Sequence, residues 1–350
     1  MLIFTNRKIA GTGSSATFAK GFAPGKTDLN FANAKAATNG AWSLKDLTNG
    51  ADDAAIVAAL SKLFSGGRPV LLYLHGNNNT PEACFERCAV LDKLYKVEVI
   101  GFSWPSEGYL SDGSELPGAK NDEPGNEDEL DQVKPSNRTD GPIVKKARRY
   151  RQAKNNAQDS VDALARFLRL VSVARLQANA QPYSVAAHSL GGHFLQYTLD
   201  IEAAREALGA AFNIALVAPC VRASGHKDWV EKLRPKGKVF VTYNDADSVL
   251  FGAYVVDGNQ VKLGADPGSE RVQNNVVRYV CFSNSPVGVG GHGYFVYSKL
   301  LGKTKRFFMR VFSSQADLDT GEHPSQVYAL GCDADGVTCY VGAPKEPDGG

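Results

Sequence analysis

The sequence has no long apolar run. Nothing in it approaches the roughly 18 consecutive apolar residues that a membrane-spanning helix needs, so no stable membrane insertion is expected. The opening segment MLIFTNRKIAGTGSS lacks a basic stretch followed by a long apolar one. It does not read as a secretory signal, and a soluble cytoplasmic protein is the expectation. Neither sign of charge is in excess, with 39 Lys and Arg against 37 Asp and Glu, a net of +2. That balance offers no electrostatic reason for a nucleic-acid or anionic-membrane partner. Cysteine is scarce: six in 350 residues do not make a disulfide framework. No cluster has the ligand number and spacing of a zinc site. Neither a metal nor another cofactor is therefore expected, and the cysteines read as reduced packing residues. Cys84 and Cys88 are four apart on a predicted helix, and Cys332 and Cys339 flank a DADG turn, placed to face each other across a hairpin. No internal repeat is present.

What is present is an ordinary globular composition, 43% hydrophobic and 22% charged, enough for one large core. The central portion alternates strands and helices, which argues for a mostly parallel sheet flanked by helices. Val70–Leu74 (VLLYL) has the continuous apolar character of a strand buried on both faces. Pro81–Tyr95 has helical spacing, with Phe85, Cys88, Leu91 and Tyr95 on one stripe. Val97–Trp104 is the next strand. Ala157, Val161, Leu164, Leu168 and Val171 mark a further helix. Tyr183–Ala187, Asn213–Ala218, Lys238–Tyr243 and Val276–Phe282 are predicted core strands, with a short helix at Lys227–Leu233. Ala253–Val256 and Gln260–Leu263 around Asp257-Gly258-Asn259 read as a hairpin, and Tyr294–Leu301 as the last core helix.

The ends and the middle are less regular. Leu2–Phe4 reads as a strand, and Asp52–Phe64 as a helix with Ile56, Leu60 and Leu63 inward. Gln326–Leu330 with Val337–Val341 reads as a C-terminal hairpin. Pro105–Pro142 is rich in Gly, Pro, Ser, Asn and acidic residues and reads as a surface insertion. It is a candidate lid, and its nine acidic residues between Ser106 and Asp131 would disfavour anionic substrates near the mouth. The basic run Lys145–Gln152 after it reads as a solvated face. Together these describe one domain over residues 1–345, with a core at about 68–302, an insertion at 105–142 and a hairpin extension at 305–345.

The chemistry sits at Ala187-His188-Ser189-Leu190-Gly191, between a strand and a helix. A nucleophile elbow turns sharply there and holds the serine in strained geometry with its hydroxyl exposed. Residues two before and two after the serine must be small, and Ala187 and Gly191 are, although alanine replaces the usual glycine. The helix starting at the serine offers free N–H groups to developing negative charge. The Leu190 N–H is then one oxyanion-hole donor. The second candidate is the Asn77 N–H, in the turn after Val70–Leu74, where Gly76 allows close backbone approach.

Four segments stand in order: LHGNNNT, GFSWPSEG, AAHSLGG, and TYNDADSVL paired with GGHGYF. On these the chain resembles the α/β-hydrolase superfamily of serine esterase and lipase type. FSWPS before glycine, and N-x-x-D-S-V-L before V-K-L-G, resemble a little-characterised bacterial branch of it. The resemblance covers about residues 68–302. It implies an α/β-hydrolase fold and a Ser-Asp-His triad in which Asp247 is the acid, after Lys238–Tyr243, with Asp245 left open. The base comes last in chain order. Of the six histidines, His75 belongs to the oxyanion loop, where it orders backbone. His188 adjoins the serine and should point away from its hydroxyl. His193 is a packing residue, and His226 precedes the acid. His292, in the glycine-rich loop after the last core strand, is the candidate base. His323 also follows the acid, but in a polar segment beyond the core.

The implied activity is hydrolysis of a small-molecule carboxylic ester or related acyl bond through an acyl-enzyme. An acyltransferase with the same triad and a non-catalytic binding module on the same scaffold are the alternatives. Two short motifs carry no chemistry. Gly21–Thr27 (GFAPGKT) has three residues between its glycines where a phosphate loop needs four. Asp333–Gly336 lacks the later glutamate of a calcium loop and reads as a hairpin turn.

Overall fold

The computed structural model of the chain describes residues 1–37, 40–116, 142–297, 299–315, 318 and 330–342. In chain order its elements are β1 (Leu2–Thr5), β2 (Arg7–Ala10), β3 (Thr17–Phe22), β4 (Asn30–Ala36), β5 (Trp42–Thr48), α1 (Asp53–Phe64), β6 (Val70–Leu74), α2 (Pro81–Tyr95) and β7 (Glu98–Ser103). Next come α3 (Pro142–Asp159), α4 (Val161–Gln177), β8 (Tyr183–His188), α5 (Gly191–Thr198), α6 (Glu202–Gly209), β9 (Ile214–Val217), α7 (His226–Val230) and β10 (Val239–Tyr243). The last are α8 (Ser248–Val256), β11 (Val277–Cys281), α9 (Gly302–Phe312), β12 (Gly331–Cys332) and β13 (Thr338–Tyr340).

Eleven strands form one sheet in the order β12-β13-β11-β10-β9-β8-β6-β7-β1-β4-β5. All pairings from β13 to β1 are parallel, and only the edges β12 and β4-β5 are antiparallel. The central strands β6, β8, β9 and β10 are buried at every position, which is why they read as unbroken apolar runs. This is the mostly parallel α/β-hydrolase architecture, with helices against the sheet and a C-terminal hairpin. Helix α1 starts on Asp52, whose side chain accepts from the Ala55 N–H at 2.7 Å, and buries Ile56, Leu60 and Phe64. Leu63, expected inward, is only half-buried. Helix α2 starts on Thr80 with Pro81 in its first turn and ends at Lys96 in the left-handed region, φ 57°.

Several expectations are corrected. Ala253–Val256 is not a hairpin strand: Ser248–Val256 is a helix. Asp247 caps it by accepting from the Leu250 N–H at 2.9 Å, and Val249, Leu250 and Ala253 are buried at helical spacing. Tertiary burial overrides the β-propensity of this valine- and aromatic-rich stretch. Asp257-Gly258-Asn259 ends the helix, with the Asn259 N–H bonded to Tyr254 O at 2.9 Å. The final core helix is Gly302–Phe312, not Tyr294–Leu301. Tyr294 and Phe295 are buried from a turn, while the continuous apolar stripe is Phe307, Phe308, Val311 and Phe312. The helix through Ala157 and Val171 is two helices broken at Ser160, whose hydroxyl donates to Asn156 O at 2.7 Å. The basic run is not wholly solvated, since Arg149 is buried and stacks 4.9 Å from the Tyr109 ring. Strands β2 to β5 carry no clear signal in the sequence pattern.

Cys332 and Cys339 form a disulfide across the β12–β13 ladder, against the expectation of reduced cysteines. Cys84, Cys88, Cys220 and Cys281 are free thiols. Residues 117–141 of the insertion, His323, and 326–329 of the expected hairpin lie outside the described residues. Among the described residues no helix is long and apolar enough to cross a membrane, and no group of three or more His, Cys, Asp or Glu is arranged to hold a metal. GFAPGKT leads into no helix, and the Asp28 carboxylate fills its turn, accepting from the Gly25 N–H at 2.8 Å.

Candidate active site

Ser189 lies between β8 and α5 with φ 53°, a positive value that non-glycine residues rarely adopt. Hydrogen bonds hold the turn from three sides. Its N–H donates to Val217 O at 3.0 Å, and its carbonyl accepts from Gly192 N at 2.9 Å and Cys220 N at 3.0 Å. The turn is close-packed against the end of β6. A Cβ on Gly191 would stand 2.7 Å from Leu74 O and 2.8 Å from His75 O, so only glycine fits. The small-residue rule read from the sequence thus has its cause in the approach of the elbow to the neighbouring loop.

Asp247 and His292, 45 residues apart, meet by a hydrogen bond of 2.6 Å from Nδ1 to Oδ2, both side chains at most 1% exposed. A carboxylate only accepts, so the Nδ1 carries the proton and Nε2 is the basic nitrogen. The other oxygen of Asp247 caps α8, which fixes the carboxylate at both ends. Asp245, the alternative acid, is exposed, and its N–H donates to Ser283 Oγ. The loop carrying His292 is tied to the turn carrying Asp247 at two points. Asn244 Nδ2 donates to Gly291 O at 2.8 Å, and Ser248 N donates to Gly290 O at 3.0 Å. Gly291, at φ 72°, has no room for a Cβ, which would stand 2.5 Å from Asn244 Nδ2. Asn244 was visible in the sequence only as a turn residue. Its role of joining the Asp247 turn to the His292 loop depends on a contact across 47 residues.

His188, next to Ser189, has its ring centroid 4.6 Å from those of both His292 and Phe295. The residue before Ser189 therefore packs against His292, a contact that adjacency alone did not suggest. Phe295 is held by the Tyr95 hydroxyl, which donates to its carbonyl. Burial pushes the Tyr95 and Tyr294 phenols well above their ordinary range, so both stay neutral hydrogen-bonding groups. Tyr294 Oη pairs with Thr242 Oγ1 at 2.6 Å on β10, anchoring the His292 loop to the sheet.

The oxyanion candidates also lie on elements that meet. Leu190 is buried at the start of α5, and Asn77 follows β6. His75 orders backbone as expected. Its Nε2 accepts from the Trp104 N–H at 3.1 Å, and its Nδ1 donates to Gly76 O at 3.0 Å. The Asn78 and Asn79 N–H groups are both used by Ser106, at 2.9 Å each.

Beside the elbow, His193 is buried against Tyr197 as a packing residue. Burial, and then the nearby Lys154 and Lys262, push its pKa down to about 3. Asp257 is the hub of this cluster: it accepts from Tyr150 at 3.1 Å, from Lys154 at 3.2 Å and from Lys262. Tyr150 Oη also meets Cys220 Sγ at 3.1 Å. No sequence motif announced this cluster, because its members come from separate helices and loops. His226 is elsewhere, held between Ala223 O and Tyr279 Oη.

Residues 52–285 match a family described as "Alpha/beta hydrolase of unknown function (DUF900)". Neither the curated proteins nor the solved structures gave a match.

Proposed function

The chain belongs to that alpha/beta-hydrolase family, and from this premise we propose that it is a serine hydrolase acting on a carboxylic ester or related acyl bond. Ser189 is the nucleophile, His292 the general base and Asp247 the acid. The single observation that supports this most is the buried 2.6 Å pair of His292 Nδ1 and Asp247 Oδ2, whose imidazole packs against His188, the residue before a serine in a strained turn.

In this reading His292 Nε2 takes the Ser189 proton as the hydroxyl oxygen attacks the acyl carbon. Asp247 holds the imidazole in the Nδ1–H tautomer and stabilises the imidazolium that forms. The Leu190 and Asn77 N–H groups donate to the tetrahedral oxyanion. His292 then gives its proton to the leaving alcohol, and the acyl group stays on Ser189 Oγ. Water attacks the acyl-enzyme with the same base, releasing the acid and restoring the serine. The substrate is a small molecule, and the chemistry calls on no cofactor.

The test is Ser189→Ala, assayed against esters of increasing acyl length and with a fluorophosphonate probe. Hydrolysis and labelling should both vanish while the cooperative thermal transition stays in place. Ester hydrolysis at the wild-type rate in this variant rules the assignment out.

A further inference from the structure

The N-terminal strands lie outside the residues that match the hydrolase family, yet β2 sends one side chain into the heart of the molecule. Arg7 and Glu107 form an ion pair whose side chains are 0% and 1% exposed. It is a two-point contact, with Nη1 to Oε1 at 2.9 Å and Nη2 to Oε2 at 2.6 Å. A buried pair of this kind contributes little net stability compared with well-packed apolar residues, so its retention calls for another reason. The guanidinium supplies one. It also donates to Trp104 O and, at 3.2 Å, to Asn79 O, carbonyls of the two loops that follow β7 and β6.

From those carbonyls a hydrogen-bond path leads to the candidate oxyanion peptide. The Trp104 N–H donates to His75 Nε2, and Trp104 Nε1 donates to His75 O at 3.0 Å. The imidazole therefore presents Nδ1–H, which donates to Gly76 O at 3.0 Å. Gly76 C=O and Asn77 N–H belong to one planar peptide and point in opposite directions. Fixing the carbonyl therefore aims the N–H. On the other side, Asn79 Nδ2 donates to Asn77 O at 2.8 Å, which holds the next peptide plane.

We infer that Arg7, paired with Glu107, is a positioning residue that sets the direction of the Asn77 N–H through Trp104 and His75. The inference rests on the serine-hydrolase reading for its catalytic consequence. Its structural half, that the ion pair holds the 75–79 loop, stands apart from it. Arg7 touches neither the substrate nor the reacting atoms. It acts by keeping one donor pre-aimed, so the loss should fall on kcat rather than on KM.

The experiment removes both charges together, as Arg7→Met with Glu107→Leu, so that neither is stranded in the interior. Two readouts are taken on the full chain: steady-state kinetics with a p-nitrophenyl ester, and amide hydrogen exchange across 75–79. The expected result is a folded protein with kcat down about 100-fold, the effect of losing one oxyanion donor, and KM little changed. Exchange at Asn78 and Asn79 should accelerate. Arg7→Lys keeps the charge but not the planar fork, and should show the same pattern at smaller size; it carries the test if the double variant does not fold. Wild-type kcat, or unchanged exchange across 75–79, overturns the inference. A wild-type protein that neither hydrolyses esters nor reacts with a fluorophosphonate overturns the hydrolase reading. Faster exchange in the variant then still supports the clamp, and unaltered exchange removes it.

Discussion

At the scale of single residues, Asp247 has two tasks that substitution can separate. One oxygen caps α8 and the other accepts from His292. Asparagine caps a helix about as well as aspartate, but it cannot hold the imidazole in the same tautomer or stabilise its cation. Asp247→Asn should therefore leave thermal stability nearly unchanged and lower kcat by roughly 10⁴-fold. Asp247→Ala loses the cap as well, costing about 1 kcal/mol of stability in addition. Denaturant melts and initial rates on the two variants together check this. If Asp247→Asn retains wild-type kcat, Asp247 is a cap and nothing more.

At the scale of elements, the same aspartate shows why α8 differs from the hairpin its sequence pattern predicts. Its stretch is rich in Val, Phe and Tyr, which favour strands, and Asp257-Gly258-Asn259 has the composition of a hairpin turn. The strand at Val70–Leu74 and the helix at Pro81–Tyr95 were legible because their burial follows from their own periodicity. Helix α8 was not, because its cap doubles as the candidate acid and its burial is provided by distant segments. The C-terminal hairpin is the element where covalent chemistry bears on stability. Cys332 and Cys339 are seven apart and bridge β12 to β13. Closing so small a loop contributes about 2 kcal/mol by chain entropy. Cys332→Ser with Cys339→Ser should lower Tm by several degrees, measured by calorimetry, and leave ester turnover near wild type. Such bonds persist in oxidising compartments, which pulls against the cytoplasmic location expected from the sequence.

At the scale of the whole molecule, stability in acid depends on a group with no part in the proposed chemistry. His193 is enclosed where α3, α5 and the segment after β9 meet, and its pKa falls from 6.5 to about 3, mainly through burial. In the unfolded chain it takes up a proton near pH 6.5, while in the folded chain it stays neutral until about pH 3. The unfolded state thus binds more protons between these values, and stability falls as pH falls through that window. The loss is absent above pH 6.5 and complete below about pH 3. It amounts to a few kcal/mol, on the order of 3–5. His193→Phe should flatten the dependence of unfolding free energy on pH across this interval, as read by urea melts at several pH values. An unchanged slope would show that the buried carboxylates control acid sensitivity instead.

The sequence alone determined the parallel core, the strand-turn-helix at Ser189, and the two aspartates and one histidine to consider. Those features arise from local periodicity, from the need for small residues at a tight turn, and from chain order. Only the tertiary structure decided that Asp247 and not Asp245 meets His292, that Tyr294 and Phe295 belong to the His292 loop and not to a helix, and that Arg7 reaches the Trp104 and Asn79 carbonyls. Each depends on contacts between residues 45 to 200 positions apart. A side chain's hydrogen-bond partners across such separations follow from how strands are ordered in the sheet, which no local pattern encodes.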